Sequence, residues 1–352
     1  MTTLPRPRST SSSASTFSPS PSPITPRTLP TSHSDGTFPT HVWGNLVESA
    51  HTGGVIGPEE KRIEVADGVS LRTLHWAPVD PGEADRPAFL LVHGLASNAR
   101  LWDGVASQLA NAGFRAISVD LRGHGQSDKP DHGYDFATIT NDLLAVIEHE
   151  GLDRPVVAGQ SWGGNVVIEL AWSAPERVRG VCAVDGGMIE LGTHMPSWNA
   201  CADALRPPDL VGMRTSRMEG FIRSAHPNWP EAGIQGAMAN FHQRDDGTIA
   251  PWLTLDRHMK ILRSLWEHRP TSLYEEIVVP VMLAPADTGQ NPSWTSDKRE
   301  AIEIAERLLP VSRTHWFAPA DHDLHAQHPD RLAQHLIDAV ADGFFSPYTE
   351  DN

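Results

Sequence analysis

Residues 155–164 of this 352-residue chain, PVVAGQSWGG, combine a short apolar strand, a glycine-rich turn and the start of a helix. Ser161 lies at the centre of the turn. Side chains two residues before and after a serine in so tight a turn would collide, so glycine is needed at Gly159 and Gly163. The turn lifts the hydroxyl above the sheet and aims the helix N-terminus at it. Gly-x-Ser-x-Gly between a strand and a helix therefore predicts a nucleophile at Ser161.

Short apolar strands alternate with helices on both sides of this turn. Such alternation predicts an α/β fold with a doubly wound, mostly parallel sheet. The predicted strands are residues 88–93, 114–119, 156–158, 178–184, 278–283 and 311–317, and the predicted helices are residues 98–112, 139–149, 163–172, 298–308 and 329–340.

Two segments depart from the alternation. Residues 188–276, rich in Met, Trp and Pro, predict a helical cap inserted between two parts of the core, residues 60–187 and 277–345. Residues 1–40 are dominated by Ser, Thr and Pro and predict a disordered tail, because they contain too little apolar surface to offset the entropy of ordering. The tail has arginines and no acidic residue before Asp35, which leaves organelle targeting as an alternative to a cytoplasmic location.

Composition restricts the class of partner. The chain has 28 Lys+Arg against 44 Asp+Glu, a net charge of −16. A surface this acidic repels nucleic acid and anionic lipid, and no apolar run is long enough to span a membrane. We therefore expect a small-molecule substrate, no nucleic acid and no membrane. The two cysteines, Cys182 and Cys201, are expected to be free thiols.

Two further motifs lie at predicted strand ends. His93-Gly94-Leu95 follows a buried strand, and the backbone N–H groups of Leu95 and Trp162 are candidate donors to a developing oxyanion. His93 is expected to hold this loop. Residues 120–128, DLRGHGQSD, suit a tight, salt-bridged loop, and they lack the glycine and lysine spacing of a phosphate-binding loop.

Together these motifs resemble the α/β-hydrolase family, in particular its capped carboxylesterase and epoxide-hydrolase-like branch, over about residues 60–345. In the epoxide hydrolases and haloalkane dehalogenases of that branch an aspartate replaces the serine, so Ser161 argues against both. The resemblance implies the α/β-hydrolase fold with an inserted helical cap, no cofactor, and a catalytic triad in the order nucleophile, acid, histidine.

The resemblance also places the other two members of the triad. His322 matches the histidine position, although Asp321 stands where the family often has glycine. Two aspartates follow predicted strands, Asp287 and Asp185, and we favour Asp287 because the family most often uses the later position. His322, His325 and His328 are spaced by three, which is a possible metal pattern, but Pro329 limits a helix there and no metal is expected.

The sequence thus predicts a serine hydrolase that cleaves a small-molecule ester, lactone or amide with an apolar acyl part through an acyl-enzyme. The alternatives are a perhydrolase or lyase that uses the same serine, and a ligand-binding receptor with low turnover. Tryptophans and methionines of the cap could line an apolar pocket or simply pack the cap. These residues are Trp198, Trp229, Trp252, Trp266, Met188, Met195, Met213 and Met218.

Overall fold

The computed structural model describes residues 57–66, 68–80, 86–290 and 292–346. The tail predicted at residues 1–40 lies outside them. The strands are β1 (Glu59–Ala66), β2 (Val69–Trp76), β3 (Phe89–Val92), β4 (Ala116–Val119), β5 (Val156–Gln160), β6 (Gly180–Val184), β7 (Phe241–Gln243), β8 (Ile249–Pro251), β9 (Val281–Ala284) and β10 (Ser312–Thr314).

The helices flank and follow these strands. They are α1 (Asp103–Asn111), α2 (Phe136–His149), α3 (Trp162–Ser173), α4 (Leu191–His194), α5 (Trp198–Leu205), α6 (Thr215–Ala225), α7 (Glu231–Met238), α8 (Leu255–Glu267), α9 (Pro292–Leu308), α10 (Leu324–Gln327) and α11 (Pro329–Ala341). Short 3-10 helices lie at Ala99–Trp102, Pro175–Arg177, Pro270–Ser272 and Tyr274–Glu276.

Within the described residues, eight strands form one sheet in the order β1-β2-β4-β3-β5-β6-β9-β10. The two pairs made by β2 are antiparallel and all other pairs are parallel. This architecture confirms the predicted doubly wound, mostly parallel sheet. The strands β3, β4, β5, β6 and β9 are buried along their whole length, as expected for strands covered by helices on both faces.

Apolar clusters on the two faces of the sheet hold the helices in place. On one face Trp102, Val105 and Leu109 pack with Leu332 and Leu336 of α11. The other face is covered by α2, α3 and α9, whose buried residues include Leu143, Val146, Val167, Leu170, Ile302 and Ala305. Burial of apolar surface, which contributes about 25 cal/mol per Å², is the main force that holds these layers together.

The segment between β6 and β9, here called the insertion (residues 188–276), is mostly helical. It contains α4 to α8 and the antiparallel hairpin β7–β8. α7 packs on α1 and on the short helix Ala99–Trp102, so the insertion rests on the loop that follows β3. Cys182 and Cys201 are buried free thiols. None of the helices in the described ranges combines the length and the hydropathy needed to cross a bilayer.

Candidate active site

Ser161 occupies the turn between β5 and α3. Its backbone is in a left-handed conformation, with φ 55° and ψ −120°, and its N–H donates to the carbonyl of Val184 in β6 at 2.9 Å. A Cβ at Gly159 would lie 2.1 Å from the carbonyl oxygen of Gly163, and one at Gly163 would lie 2.5 Å from that of His93. Both glycines are therefore required by close backbone contacts: Gly159 by its approach to Gly163, as the spacing indicated, and Gly163 by its approach to the end of β3, which the spacing did not indicate.

His322 lies in the loop between β10 and α10, where the sequence analysis places it. Its Nδ1 is 2.6 Å from Oδ2 of Asp185, which directly follows β6. The His322 side chain is 45% exposed, whereas that of Asp185 is 1% exposed. A buried carboxylate that accepts from Nδ1 fixes the tautomer that leaves Nε2 free to take a proton.

The structure corrects the choice between the two acids: Asp185, and not Asp287, lies against the histidine. The carboxylate of Asp287 is held by its own turn and by α9. It accepts from the N–H of Gly289 at 2.8 Å and from the hydroxyl of Thr295 at 3.0 Å, and it faces Arg299 at 3.4 Å. These contacts turn the Asp287 side chain toward α9, so the expectation that it orients His322 is wrong.

The charges of this pair determine its protonation. Burial disfavours both charged forms, but in each residue the partner outweighs burial. The hydrogen bond and the charge of Asp185 raise the pKa of His322, and the hydrogen bond and positive charge of His322, together with Lys298, lower the pKa of Asp185. Asp185 therefore stays ionised at neutral pH, and His322 becomes a free base only as the pH rises through its elevated pKa.

The loop after β3 packs directly against the serine. A Cβ at Gly94 would lie 3.0 Å from Cβ of Ser161. Neither the N–H of Leu95 nor that of Trp162 donates a hydrogen bond within the ranges that the structure describes. Trp162 is the first residue of α3, where backbone N–H groups have no acceptor inside the helix. Both groups are therefore free to donate, and Trp162 directly follows Ser161 in the chain.

Two buried histidines hold this loop. Nδ1 of His93 contacts the carbonyl of Gly94 at 2.7 Å, and its Nε2 accepts from the N–H of Leu121 at 3.0 Å. His124 accepts from the N–H of Ala96 at 3.2 Å. Burial lowers the pKa of both rings, which keeps them neutral and able to accept.

The segment at residues 120–128 is a tight loop fastened by ion pairs. Asp120 faces Nε of Arg72 at 2.8 Å, and Asp128 faces Arg62 at 2.6 Å. Arg122 pairs with Asp142 in α2. These contacts account for the charges in this segment without a phosphate ligand, because each charged side chain already has a partner of opposite sign.

The three histidines spaced by three do not converge. His325 is fully buried against Trp102 with ring centroids 4.6 Å apart, and Nε2 of His328 lies 3.3 Å from the carbonyl of Pro319. His322 faces Asp185 instead. Among the described residues, no group of three or more His, Cys, Asp or Glu side chains is arranged to hold a metal ion.

Asp321 connects the histidine loop to the insertion. Its Oδ2 accepts from Nε1 of Trp229 at 3.0 Å and lies 3.2 Å from Nδ1 of His226. An aspartate at this position, where the family often has glycine, thus gives the loop of His322 two contacts with the insertion.

A cavity of about 750 Å³ lies between the insertion and the loop after β3. Ala96 and Ser97, which follow Leu95 in the chain, line it together with Trp252, Phe241, Arg206 and Arg244, whereas Ser161 and His322 are not among its lining residues. Of the tryptophans and methionines discussed above, Trp252 lines the cavity, while Trp229 and Met218 are buried in apolar clusters.

Sequence reasoning missed Lys298, whose Nζ donates to Oδ1 of Asp185 at 2.6 Å. The sequence signal was the helical spacing of Lys298, Ile302 and Ala305, which places the lysine on the apolar face of the helix, and all three residues are buried in the structure. A lysine on the apolar face of an amphipathic helix is rarely buried unless it is paired.

Comparison with known proteins agrees with this fold. A family model described as "Alpha/beta hydrolase family" matches residues 89–335. The 2-(acetamidomethylene)succinate hydrolase of Mesorhizobium japonicum is 25% identical over 261 residues, which cover 72% of this chain and 88% of that protein. The crystal structure of an E-2-(acetamidomethylene)succinate hydrolase superposes with a TM-score of 0.67 at 21% identity, covering 81% of this chain and 99% of that one.

Other relatives match over shorter segments. Epoxide hydrolase A of Mycobacterium tuberculosis is 33% identical over 135 residues, 37% of this chain and 39% of that protein. Three uncharacterized mycobacterial proteins are matched over 30% of their length at 40% identity. The chain therefore aligns with well under half of the length of several relatives.

Proposed function

Because this chain belongs to the alpha/beta hydrolase family, we propose that it is a serine hydrolase that cleaves an ester or amide bond of a small molecule. The observation that supports this proposal best is the hydrogen bond between His322 and the buried carboxylate of Asp185, in a fold that sets Ser161 at the tip of a strained turn. An epoxide hydrolase of this fold would have an aspartate in place of Ser161.

The proposed reaction begins at the hydroxyl of Ser161. As its oxygen attacks the carbonyl carbon, the proton passes to Nε2 of His322, and the resulting imidazolium is stabilised by Asp185. The N–H groups of Leu95 and Trp162 donate to the oxyanion. His322 then returns the proton to the leaving alcohol or amine, and a water molecule activated by the same ring hydrolyses the acyl-enzyme.

Fluorophosphonate labelling tests the nucleophile directly. We expect the wild-type protein to be modified once, at the peptide that contains Ser161, and to lose ester hydrolysis in proportion to the label, as measured by mass spectrometry and a chromogenic ester assay. A labelled protein that hydrolyses neither esters nor amides would favour the ligand-binding receptor. Label on another serine, with Ser161 unmodified, would contradict the proposal.

The cavity supports a substrate that has an apolar body and a negative charge. Arg206 and Arg244 line it, and within the described residues neither guanidinium makes a side-chain hydrogen bond or a close ion pair, although the charge of Arg244 also acts on Asp246. Asp209 also lines it, but its carboxylate accepts from the N–H of Val211 at 3.0 Å. One relative is named for its action on a derivative of succinate, a dicarboxylate. We therefore propose a carboxylate on the substrate that pairs with these arginines.

Replacing Arg206 and Arg244 should reduce the preference for a substrate that carries a carboxylate. For Arg206→Gln/Arg244→Gln we expect kcat/KM for mono-p-nitrophenyl adipate to fall by about three- to tenfold, chiefly through KM, since a charge-assisted contact is lost. The rate with p-nitrophenyl hexanoate should be unchanged. Arg217→Gln is the matched control, because it removes a cation from the insertion outside the cavity. Equal losses with both esters would contradict the carboxylate site.

A further inference from the structure

Lys298 is a buried cation behind the proposed triad. It lies on α9, its side chain is 7% exposed, and its Nζ donates to Oδ1 of Asp185 at 2.6 Å and to the carbonyl of Ala286 at 2.7 Å. Lysine is almost never buried without a partner, because desolvation of its ammonium is costly. Its contacts therefore point to a defined role for the charge at this position.

The two oxygens of Asp185 have separate partners. Oδ2 faces Nδ1 of His322, while Oδ1 accepts from Nζ of Lys298 and from the N–H of Ala286, at 2.8 Å for the latter. Donors on Oδ1 stop the carboxylate from rotating about its Cβ–Cγ bond. Oδ2 is then fixed in the direction of the imidazole by Lys298, which lies 113 residues after Asp185 in the chain.

We propose that Lys298 is a positioning residue of the proposed hydrolase, which orients the carboxylate of Asp185 toward His322 and supplies the countercharge that keeps this acid ionised while the histidine is neutral. The inference rests on the proposed function, in which His322 acts as the base. Lys298 does not touch the reacting atoms and acts through Asp185.

The charges around His322 and Asp185 indicate in which direction Lys298 changes the pKa of His322. His322 is faced by Asp185 from the end of β6, by Asp323 from its own loop, by Lys298 from α9 and by the buried, neutral ring of His325 from α10. The insertion contributes His226, whose ring meets Asp321. The two carboxylates favour the imidazolium, while Lys298 opposes it and moderates the rise in the pKa of His322. Lys298 therefore keeps more of the histidine in the neutral form that a general base requires.

Removal of the positive charge of Lys298 should shift the pH dependence of kcat/KM. In Lys298→Met the buried carboxylate of Asp185 has no countercharge while His322 is neutral. His322 therefore takes up a proton more readily, and the acidic limb of kcat/KM should move up by about one pH unit. We expect kcat at pH 7 to fall by about ten- to a hundredfold and KM to change by less than about threefold, with the part of the loss due to protonation, up to about tenfold, recovered at high pH. Lys298→Gln, which keeps a donor, should show the same shift with a smaller loss of kcat.

Arg299→Met is the matched control. It removes a cation from the next position of α9, where Arg299 faces Asp287 rather than Asp185, and should leave the pH profile in place. Loss of kcat in Lys298→Met at every pH, without movement of the limb, would indicate a purely structural lysine and overturn the proposal.

Two further measurements separate this inference from the proposed function. In an Asp185→Asn background, Lys298→Met should cause little further loss of kcat, because residues that act as one unit are not additive. Independently of turnover, the pKa of His322 can be followed by NMR, with its signal assigned by comparison with His322→Gln. A higher pKa in Lys298→Met would support the inference even if no ester is hydrolysed. An unchanged pKa in a folded variant would overturn it.

Discussion

Replacement of Ser161 by alanine is expected to lower kcat by roughly 10³–10⁶ while the protein stays folded. Ser161 carries the hydroxyl in the turn between β5 and α3, and it is the proposed nucleophile. Alanine keeps the Cβ at a left-handed backbone position and removes only the oxygen, so the fold should survive. Steady-state hydrolysis of p-nitrophenyl esters and the thermal midpoint together measure both expectations.

Ser173→Ala is the control for this substitution. Ser173 is the last residue of the same helix, and its hydroxyl donates to the carbonyl of Glu169 at the helix surface. Its loss should leave kcat unchanged. If pure, folded Ser161→Ala retained the wild-type rate, the acyl-enzyme mechanism would be excluded.

Substitution of the triad acid should have the second largest effect. Asp185→Asn is expected to reduce kcat by roughly 10³–10⁴ with little change in KM, because an amide in place of the carboxylate allows the wrong tautomer of His322 and removes the countercharge of the imidazolium. The substitution also leaves the buried ammonium of Lys298 without its anion, so we expect a lower thermal midpoint as well.

Asp287→Asn provides the comparison, since it makes the same chemical change at the other strand end. The carboxylate of Asp287 contacts Gly289, Thr295 and Arg299 and not the histidine, so kcat should stay within about tenfold of the wild type. If Asp287→Asn lost activity and Asp185→Asn kept it, Asp287 would be the triad acid. The proposed roles of Ser161 and His322 would not change.

Several strands are shorter in the structure than their apolar sequence patterns predict. Residues 114–119 are predicted as one strand, but β4 begins at Ala116, where pairing with β3 starts. Residues 311–317 shorten to β10 (Ser312–Thr314), the residues in continuous register with β9, although Val311 and His315 still hydrogen-bond to that strand and Phe317 forms an isolated bridge with Ala286 beyond it. The apolar pattern indicates which residues are buried, whereas hydrogen bonding to a neighbouring strand decides where a strand ends.

The choice of the acid depended on contacts that no local pattern describes. The family preference favoured Asp287, yet Asp287-Thr288-Gly289 forms a turn in which the carboxylate accepts from the N–H two residues on, a common use of aspartate beside glycine. Asp185 follows β6, which lies next to β5 in the sheet, so its side chain starts beside the turn of Ser161.

The residue pattern alone was enough to predict the doubly wound sheet and the strained turn at Ser161, because both follow from hydrophobic periodicity or steric limits within a few consecutive residues. The position of His322 came from the family resemblance. The contact of Asp185 with the histidine, and that of Lys298 with Asp185, became visible only in the folded chain. His322 and Lys298 are 137 and 113 residues from Asp185 in the chain. Their contacts with Asp185 depend on the order of the strands and on the direction of each side chain, and both are properties of the packed fold.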